Sequence, residues 1–217
     1  MLHRIKGVVF DIDGVLIDSF NANYQFYQDL MSAAGYKPPT KENYVPLFHR
    51  PMHDVIKILT NSSSEEEINR IWEMGREGIV PYPSHLLNLT DGVEETLREL
   101  SKDYKLGIVT SRVRERIYEI PALAQLKKYF QVTTSYQDTA NHKPHPEPLH
   151  FACDKLQVNP SEAVYIGDVE NDVIAGKAAG MKTILFAEAS VGNPDACSYS
   201  FTDLPTIIKS LSNHQRH

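Results

Sequence analysis

The sequence predicts an α/β fold, a doubly wound, Rossmann-like parallel sheet with an all-helical cap domain inserted into it. Short apolar runs rich in β-branched residues alternate with helical patterns over most of the chain, as in a parallel sheet buried on both faces. The interval 17–89 breaks that alternation, because it holds helical patterns and no convincing strand. We therefore expect residues 1–16 and 90–217 to form the α/β core and residues 17–89 to form the cap.

The core strands are predicted from apolar runs that are nearly continuous, which indicates burial on both faces of the sheet. Five segments have this character: Ile5–Phe10, Leu106–Val109, Phe130–Thr133, Val164–Ile166 and Thr183–Phe186.

Helical patterns separate the last four of these strands. Asp91 and Glu94 have the spacing of a capping box, which predicts a helix beginning near residue 91. A later helix ends at Gly180, and Ile174, Ala178 and Ala179 are expected on its buried face.

The cap is predicted from apolar residues at helical spacing. One stripe ends at Gly35, and Val55, Ile56 and Leu59 suggest a second helix. Ser64 with Glu67 has the spacing of a third helix start. The first stripe comprises Phe20, Tyr24, Tyr27, Met31 and Ala34. We interpret these aromatic residues as the hydrophobic core of the cap.

Composition narrows the class of protein. The formal net charge is -6 and the hydrophobic fraction is 41%, which fits a globular protein and disfavours a nucleic-acid backbone as partner. No segment approaches the ~20 apolar residues of a membrane span, and the N-terminus leads directly into a strand without a secretory apolar region. We therefore expect a cytoplasmic protein that binds neither membrane nor nucleic acid.

Two acidic residues follow the first strand directly. Asp11 and Asp13 are separated by one residue, which would place both side chains on the same side of an extended segment, and Gly14 allows a sharp turn after them. A carboxylate at the mouth of a buried strand is costly to desolvate unless a cation or an electrophile faces it. One of the pair can attack while the other transfers a proton.

Three further polar groups follow later strands, and parallel strands would bring them to the same edge of the sheet. Thr110 and Ser111 offer hydroxyls to phosphoryl oxygens. Lys143 lies in a proline-rich loop that could hold its ammonium near developing negative charge. Asp168 could bind a hard cation, and Asp172 could support that cation or orient the lysine.

These segments together resemble the haloacid dehalogenase (HAD) superfamily, in its phosphoglycolate phosphatase-like branch with a helical cap. The four motifs occur in the family's order across the core: Asp11-Ile12-Asp13-Gly14-Val15, Thr110, Lys143-Pro144-x-Pro146 and Gly167-Asp168-x-x-x-Asp172. The cap matches only in position and helical character. Dehalogenases of the superfamily lack an acid at the position of Asp13, so the resemblance favours phosphoryl transfer over carbon–halogen cleavage.

The resemblance implies a role for each motif residue. Asp11 would attack phosphorus to give an aspartyl-phosphate, and Asp13 would protonate the leaving oxygen and then activate water. Asp11, the Asp13 backbone carbonyl and Asp168 would bind Mg²⁺, with Asp172 supporting them from behind. Thr110, Ser111 and Lys143 would bind the phosphoryl group.

The resemblance leaves the substrate open within one class, small phosphorylated metabolites. The first expectation is a phosphatase acting on a small phosphomonoester, phosphoglycolate-like in class. An inorganic pyrophosphatase and a sugar-phosphate mutase, similar to β-phosphoglucomutase, use the same core groups, and a catalytically silent binding protein is the remaining alternative. Arg50 lies where related enzymes carry a substrate-specificity loop, and its guanidinium suits a carboxylate or a second phosphate. The sequence does not indicate the oligomeric state.

Overall fold

The computed structural model of the chain describes residues 4–48, 50–118, 120–187 and 190–213. Contacts divide the chain into two compact units. One unit, which we call the core unit, comprises residues 1–18 and 88–217, and the other, which we call the helical unit, comprises residues 19–87.

A parallel sheet forms the centre of the core unit. Among the described residues it has six strands in the order β5-β4-β1-β6-β7-β8, and each neighbouring pair is parallel. The strands are β1 (Gly7–Phe10), β4 (Lys105–Val109), β5 (Val132–Thr134), β6 (Ala163–Gly167), β7 (Lys182–Phe186) and β8 (Ala196–Ser198). The predicted α/β fold class is confirmed, and each of the five predicted segments overlaps a strand.

The central strand is fully buried on both faces, as its apolar sequence predicts. All four residues of β1 are buried, and β1 pairs with β4 on one side and β6 on the other. Phe10 is the register partner of both Ile108 and Ile166. The residues that follow these three strands therefore begin at the same edge of the sheet.

Helices connect the strands of the core unit. They are α5 (Val93–Leu100), α6 (Arg114–Ile117), α7 (Pro121–Leu126), α8 (Glu147–Leu156), α9 (Glu170–Ala178) and α10 (Leu204–Asn213). Two details of the expected helices are wrong. Helix α5 has Gly92 as its N-cap with no side-chain cap bond, so the Asp91–Glu94 capping box does not form. Ile174 is 44% exposed and Ala178 is exposed as well, because the buried face of α9 is formed by Val173, Ala175 and Gly176. Of the expected face only Ala179 is buried.

The helical unit contains α1 (Phe20–Ala33), α2 (Lys41–Tyr44), α3 (Met52–Thr60) and α4 (Glu65–Arg76). The predicted N-cap of helix α4 forms, since the Ser64 side chain accepts a hydrogen bond from the Glu67 backbone N–H. An apolar cluster fills the interior of this unit, and its members include Phe26, Leu30, Met31, Tyr44, Val55, Ile56, Ile68 and Ile71. The unit thus has a hydrophobic core of its own.

Two short strands mark where the chain leaves the core unit and returns to it. β2 (Ile17–Asp18) and β3 (Asn88–Leu89) pair antiparallel, with Asp18 opposite Asn88. The Thr90 hydroxyl donates to the Val15 carbonyl oxygen at 2.5 Å. The sequence did not predict this pair, because two-residue strands carry no periodic pattern. The assignment of residues 17–89 to a cap domain and of the remaining residues to a catalytic domain stays a prediction. Within the described part of the chain, no helix has the length and apolar character needed to cross a bilayer.

Candidate active site

Asp11 occupies the mouth of the central strand. Its backbone N–H donates to the Ile166 carbonyl oxygen at 2.9 Å, and its Oδ1 accepts from the Ile12 N–H at 2.8 Å. The residue is buried, with 8% of its surface exposed. The remaining oxygen, Oδ2, lies 2.9 Å from the Lys143 ammonium. The structure therefore brings together the first and third predicted motifs.

Lys143 is held by the loop that precedes α8. The Glu147 side chain accepts hydrogen bonds from the backbone N–H groups of Ala140 and Asn141, at 3.0 and 3.1 Å. The Lys143 side chain is only 9% exposed, and its Nζ lies 2.7 Å from Asp172 Oδ1 as well as 2.9 Å from Asp11 Oδ2. The buried ammonium is therefore paired with two carboxylates, so its charge is compensated at the sheet edge.

The third partner of Lys143 is Tyr165, a residue to which sequence reasoning assigned no role. Lys143 Nζ donates to the Tyr165 hydroxyl at 2.9 Å, and that hydroxyl donates to Asp172 Oδ1 at 3.1 Å. The three N–H groups of the ammonium thus face three oxygen atoms. A tyrosine in an otherwise apolar, buried strand is the signal that was available, because a buried phenol needs a hydrogen-bond partner.

Asp172 acts as the support of this cluster. Its Oδ1 accepts from Lys143 and Tyr165, and its Oδ2 accepts from the backbone N–H groups of Asp168 and Val169 at 3.2 and 3.3 Å. A carboxylate offers about four acceptor positions, so these four hydrogen bonds occupy the acceptor positions of Asp172. The arrangement fits the supporting role that the sequence suggested for Asp172.

Asp168 completes an acidic group that has the composition of a metal site. One carboxylate oxygen from each of Asp11, Asp168 and Asp172 lies within 4.8 Å of the others. Carboxylate oxygens are the ligands that hard divalent cations prefer. Gly14 has a φ of +72°, and a Cβ atom there would lie 2.1 Å from Asp168 Oδ2. Glycine is therefore required for Asp168 to occupy this place, as well as for the turn itself.

The electrostatics of the buried pair also favour a bound cation. The pKa of Asp11 is raised to about 8, mainly by burial; the Lys143 ammonium acts to lower it, and Asp172 and Asp168 contribute to the rise. Burial acts to lower the pKa of Lys143, but Asp11, Tyr165 and Asp172 together raise it well above its ordinary value. The lysine is therefore charged, and a second positive charge beside Asp11 would favour its ionised, nucleophilic form.

Thr110 follows β4 and is buried, with 5% of its surface exposed. Its N–H donates to the Thr134 carbonyl oxygen at 3.0 Å, and its Oγ1 accepts from the Arg112 N–H at 3.1 Å. Because Oγ1 accepts from the backbone, its own O–H is available to donate. Ser111 beside it is exposed, and its contact with substrate stays a prediction.

Asp13 is held separately from Asp11. The chain leaves β1 after Phe10 and turns, with the N–H groups of Val15 and Ile17 both donating to the Ile12 carbonyl oxygen. Asp13 forms a two-point ion pair with Arg112, in which Nε and Nη2 lie 2.7 and 2.6 Å from the carboxylate oxygens. The sequence did not predict this partner. Arg50 belongs to the helical unit, where it is exposed, and its role stays a prediction.

The carboxyl edge of this parallel α/β sheet thus gathers aspartates and a buried lysine, at the place where open α/β sheets bind ligands. The profile of the haloacid dehalogenase-like hydrolases matches residues 8–186. The chain belongs to this family, and the expected resemblance and the expected enzyme class are confirmed.

Several known proteins are similar over nearly the whole chain. Pyrophosphatase PpaX of Bacillus cereus (strain G9842) is 30% identical, over 96% of this chain and 99% of its own length. A HAD-superfamily hydrolase, subfamily IA, variant 1, of Geobacter sulfurreducens PCA is 26% identical with a TM-score of 0.75, over 94% of this chain and 96% of its own. A predicted phosphoglycolate phosphatase of Haemophilus somnus 129PT shares the fold, with 22% identity and a TM-score of 0.74 over 94% of this chain and 97% of its own.

Proposed function

We propose that the protein is a magnesium-dependent phosphatase that hydrolyses a small phosphomonoester, phosphoglycolate-like in class, through an aspartyl-phosphate on Asp11. The observation that carries this proposal is the buried cluster in which Lys143 Nζ lies 2.9 Å from Asp11 and 2.7 Å from Asp172. The Lys143 ammonium favours the anionic form of the buried Asp11, and a bound Mg²⁺ would favour it further; the anion is the form that attacks phosphorus. The family membership supports the same chemistry.

In the first step, Asp11 Oδ2 attacks phosphorus, and the bond from phosphorus to the leaving oxygen breaks. Asp13 in its acid form gives its proton to that oxygen. In the second step, the Asp13 carboxylate takes a proton from water as the water oxygen attacks phosphorus and the bond from phosphorus to Asp11 breaks. General acid–base catalysis of this kind contributes about 10²–10⁴-fold.

Lys143 and Thr110 bind the phosphoryl oxygens in this proposal. Tyr165 and Asp172 fix two of the three Lys143 N–H groups, so the N–H that faces Asp11 is the one that turns to the substrate. The Thr110 hydroxyl donates a second hydrogen bond. These donors stabilise the charge that is redistributed over the phosphoryl oxygens.

The metal in this proposal is Mg²⁺, held by the Asp11 carboxylate, the Asp13 backbone carbonyl and Asp168. Bound there, Mg²⁺ would neutralise charge between the nucleophile and the substrate phosphate. The oxygen atoms of Asp11, Asp168 and Asp172 within 4.8 Å of one another support this assignment. The hydrogen bonds that Asp172 already makes support its place behind the ligands rather than among them.

Pyrophosphate is the second candidate substrate, and a specific observation favours it. The 30% identical relative from Bacillus cereus is named a pyrophosphatase and matches over 99% of its length. A sugar-phosphate mutase uses the same core groups but returns the phosphoryl group to its product. The helical unit is proposed to be the cap that selects among these substrates, with Arg50 as the candidate contact. We also propose a cytoplasmic protein whose partner is the small phosphorylated metabolite alone.

The testing experiment measures phosphate release with Mg²⁺ across phosphoglycolate, pyrophosphate, sugar phosphates and nucleotides. Asp11→Asn and a chelator serve as parallel controls, and conversion of sugar-phosphate isomers is followed in the same samples. We expect release from at least one member of the panel, abolished in both controls, with the ranking naming the substrate.

Release that survives Asp11→Asn would contradict the aspartyl-phosphate. Isomer conversion without release would replace the phosphatase by a mutase. No reaction by the folded, Mg²⁺-containing protein would favour a binding protein.

A further inference from the structure

We infer that Arg112 is a positioning residue, which holds the Asp13 carboxylate in the orientation that proton transfer requires. This inference rests on the proposed function, in which Asp13 is the acid and then the base. Arg112 Nε donates to Asp13 Oδ2 at 2.7 Å, and Nη2 donates to Oδ1 at 2.6 Å. Two parallel bonds fix the plane of a carboxylate as well as its position.

The backbone of Arg112 is itself fixed on both sides. Its N–H donates to Thr110 Oγ1 at 3.1 Å, and its carbonyl oxygen accepts from the Tyr136 N–H at 2.9 Å. Arg112 follows β4, which pairs in parallel with β1, so both members of the ion pair extend from neighbouring strands at the same edge of the sheet. The guanidinium is therefore presented to Asp13 from an anchored segment.

Exposure separates this pair from an ordinary surface ion pair. The Arg112 side chain is 20% exposed and that of Asp13 is 42% exposed. The arginine is thus largely enclosed, while the acid that it holds remains open to a substrate or to water. An exposed pair of two long side chains gains little from association, whereas here a short side chain is held by an enclosed fork.

The pairing leaves Asp13 able to react. Each carboxylate oxygen has about two acceptor positions, and the guanidinium uses one on each. One position on each oxygen remains to carry a proton to the leaving oxygen or to receive a proton from water. A lysine in place of Arg112 would keep the positive charge, but its ammonium would not fix the plane of the Asp13 carboxylate.

The test uses the dependence of rate on the leaving group. An alkyl phosphate needs its leaving oxygen protonated, whereas 4-nitrophenolate leaves without help. The value of kcat/KM reports events up to formation of the phosphorylated enzyme. It is measured with Mg²⁺ for 4-nitrophenyl phosphate and for the alkyl phosphate that the panel ranks first. The variants are Arg112→Gln, Arg112→Lys, Asp13→Asn and the matched control Arg114→Gln.

Arg112→Gln is expected to lower kcat/KM for the alkyl phosphate at least about tenfold more than for 4-nitrophenyl phosphate, a part of the full acid–base contribution. Asp13→Asn should show the same difference at larger size, and Arg112→Lys a smaller one. Arg114 pairs with Asp138 on the surface, so Arg114→Gln should leave the ratio of the two values unchanged.

Equal losses for both substrates in the two Arg112 variants would overturn the inference and make Arg112 a structural residue, while the proposed function would stand if Asp13→Asn keeps its leaving-group effect. If Asp13→Asn shows no leaving-group effect, the acid assignment of the proposed function fails and the positioning role fails with it. Thermal melting of each variant confirms that the comparison is made between folded proteins.

Discussion

At the scale of single residues, the candidate site depends on hydrogen bonds that hold Lys143 in place. The ammonium has three N–H groups, and they face Asp11, Asp172 and Tyr165. Tyr165 also donates to Asp172, so its hydroxyl joins the cation to the carboxylate that supports it. Removing that one oxygen atom would take one hydrogen-bond partner from Lys143 and one from Asp172.

We predict that Tyr165→Phe lowers kcat/KM about tenfold, because partners behind a reacting group typically contribute about 10–100-fold. The ring remains in the core, so the stability cost is about 1–2 kcal/mol, the cost of unpaired buried groups. Phosphate-release assays and thermal melts measure the two effects. Tyr118→Phe is the matched control, since the Tyr118 hydroxyl lies 2.7 Å from Thr133 Oγ1. This control should lose stability only. Similar activity losses in the two variants would refute the role of Tyr165.

The sequence predicted some of these residues and missed others for a physical reason. Asp11, Lys143 and Asp172 belong to motifs that can be read along the chain. The structure places Lys143 Nζ 2.9 Å from Asp11 and 2.7 Å from Asp172. Arg112 and Asp13 are joined by side chains from two strands distant in sequence. Whether a given arginine pairs with a given aspartate depends on the conformations of their side chains. The spacing of residues along the chain does not predict those conformations.

At the scale of secondary-structure elements, the strands buried on both faces and the edge strand β5 were predicted, whereas the opposite edge strand, β8, was not. Continuous apolar runs marked β1, β4, β6 and β7 because parallel strands in the middle of a sheet exclude water from both sides. Strand β8 has only three residues, of which Cys197 is exposed, so it has no apolar run to recognise. β8 pairs with β7 along the backbone, and side-chain contacts of the preceding segment add to this pairing.

Asp195 supplies one of those contacts. It accepts from Lys182 Nζ at 2.7 Å and from the Thr183 N–H at 2.9 Å, which ties the segment before β8 to β7. Burial acts to raise the pKa of Asp195, but the hydrogen bonds from Lys182 and Thr183 outweigh it and hold the pKa below its ordinary value of 3.8. The fold therefore favours the ionised carboxylate.

We predict that Asp195→Asn lowers the free energy of unfolding by about 1 kcal/mol at neutral pH. The expected loss is modest because the side chains of Asp195 and its partner Lys182 are both partly exposed. The stabilisation by a carboxylate with a lowered pKa is present above 3.8 and is lost as the pH falls through the lower folded value. The difference between wild type and variant should thus shrink as the pH falls to about 2. Urea unfolding at several pH values measures it. A difference that stays constant over this range would contradict the prediction.

At the scale of the whole molecule, the chain consists of two compact units, and the smaller is inserted into the larger. The chain leaves the core unit at Asp18 and re-enters it at Asn88, and these two residues are register partners in an antiparallel pair. Facing residues in such a pair lie about 5 Å apart. Hydrogen bonds from Thr90 to Leu16 and Val15 hold the base of the pair from within the core unit.

This geometry predicts that the core unit folds without the insertion. Replacing residues 19–87 by Asn-Gly would join Asp18 to Asn88 through a two-residue turn, the length and sequence that antiparallel pairs prefer. The apolar cluster around Val9, Leu149 and Tyr165 lies wholly in the core unit, so all of its members remain in the shortened protein. We expect a cooperative unfolding transition and an α/β circular dichroism spectrum.

Since Asp11, Lys143, Asp168 and Asp172 all remain, the shortened protein should hydrolyse acetyl phosphate with Mg²⁺ and lose that activity in Asp11→Asn, while discriminating less among larger substrates. A chain without a cooperative transition would show that the helical unit is needed for folding; a folded chain with unchanged substrate ranking would remove substrate selection from that unit.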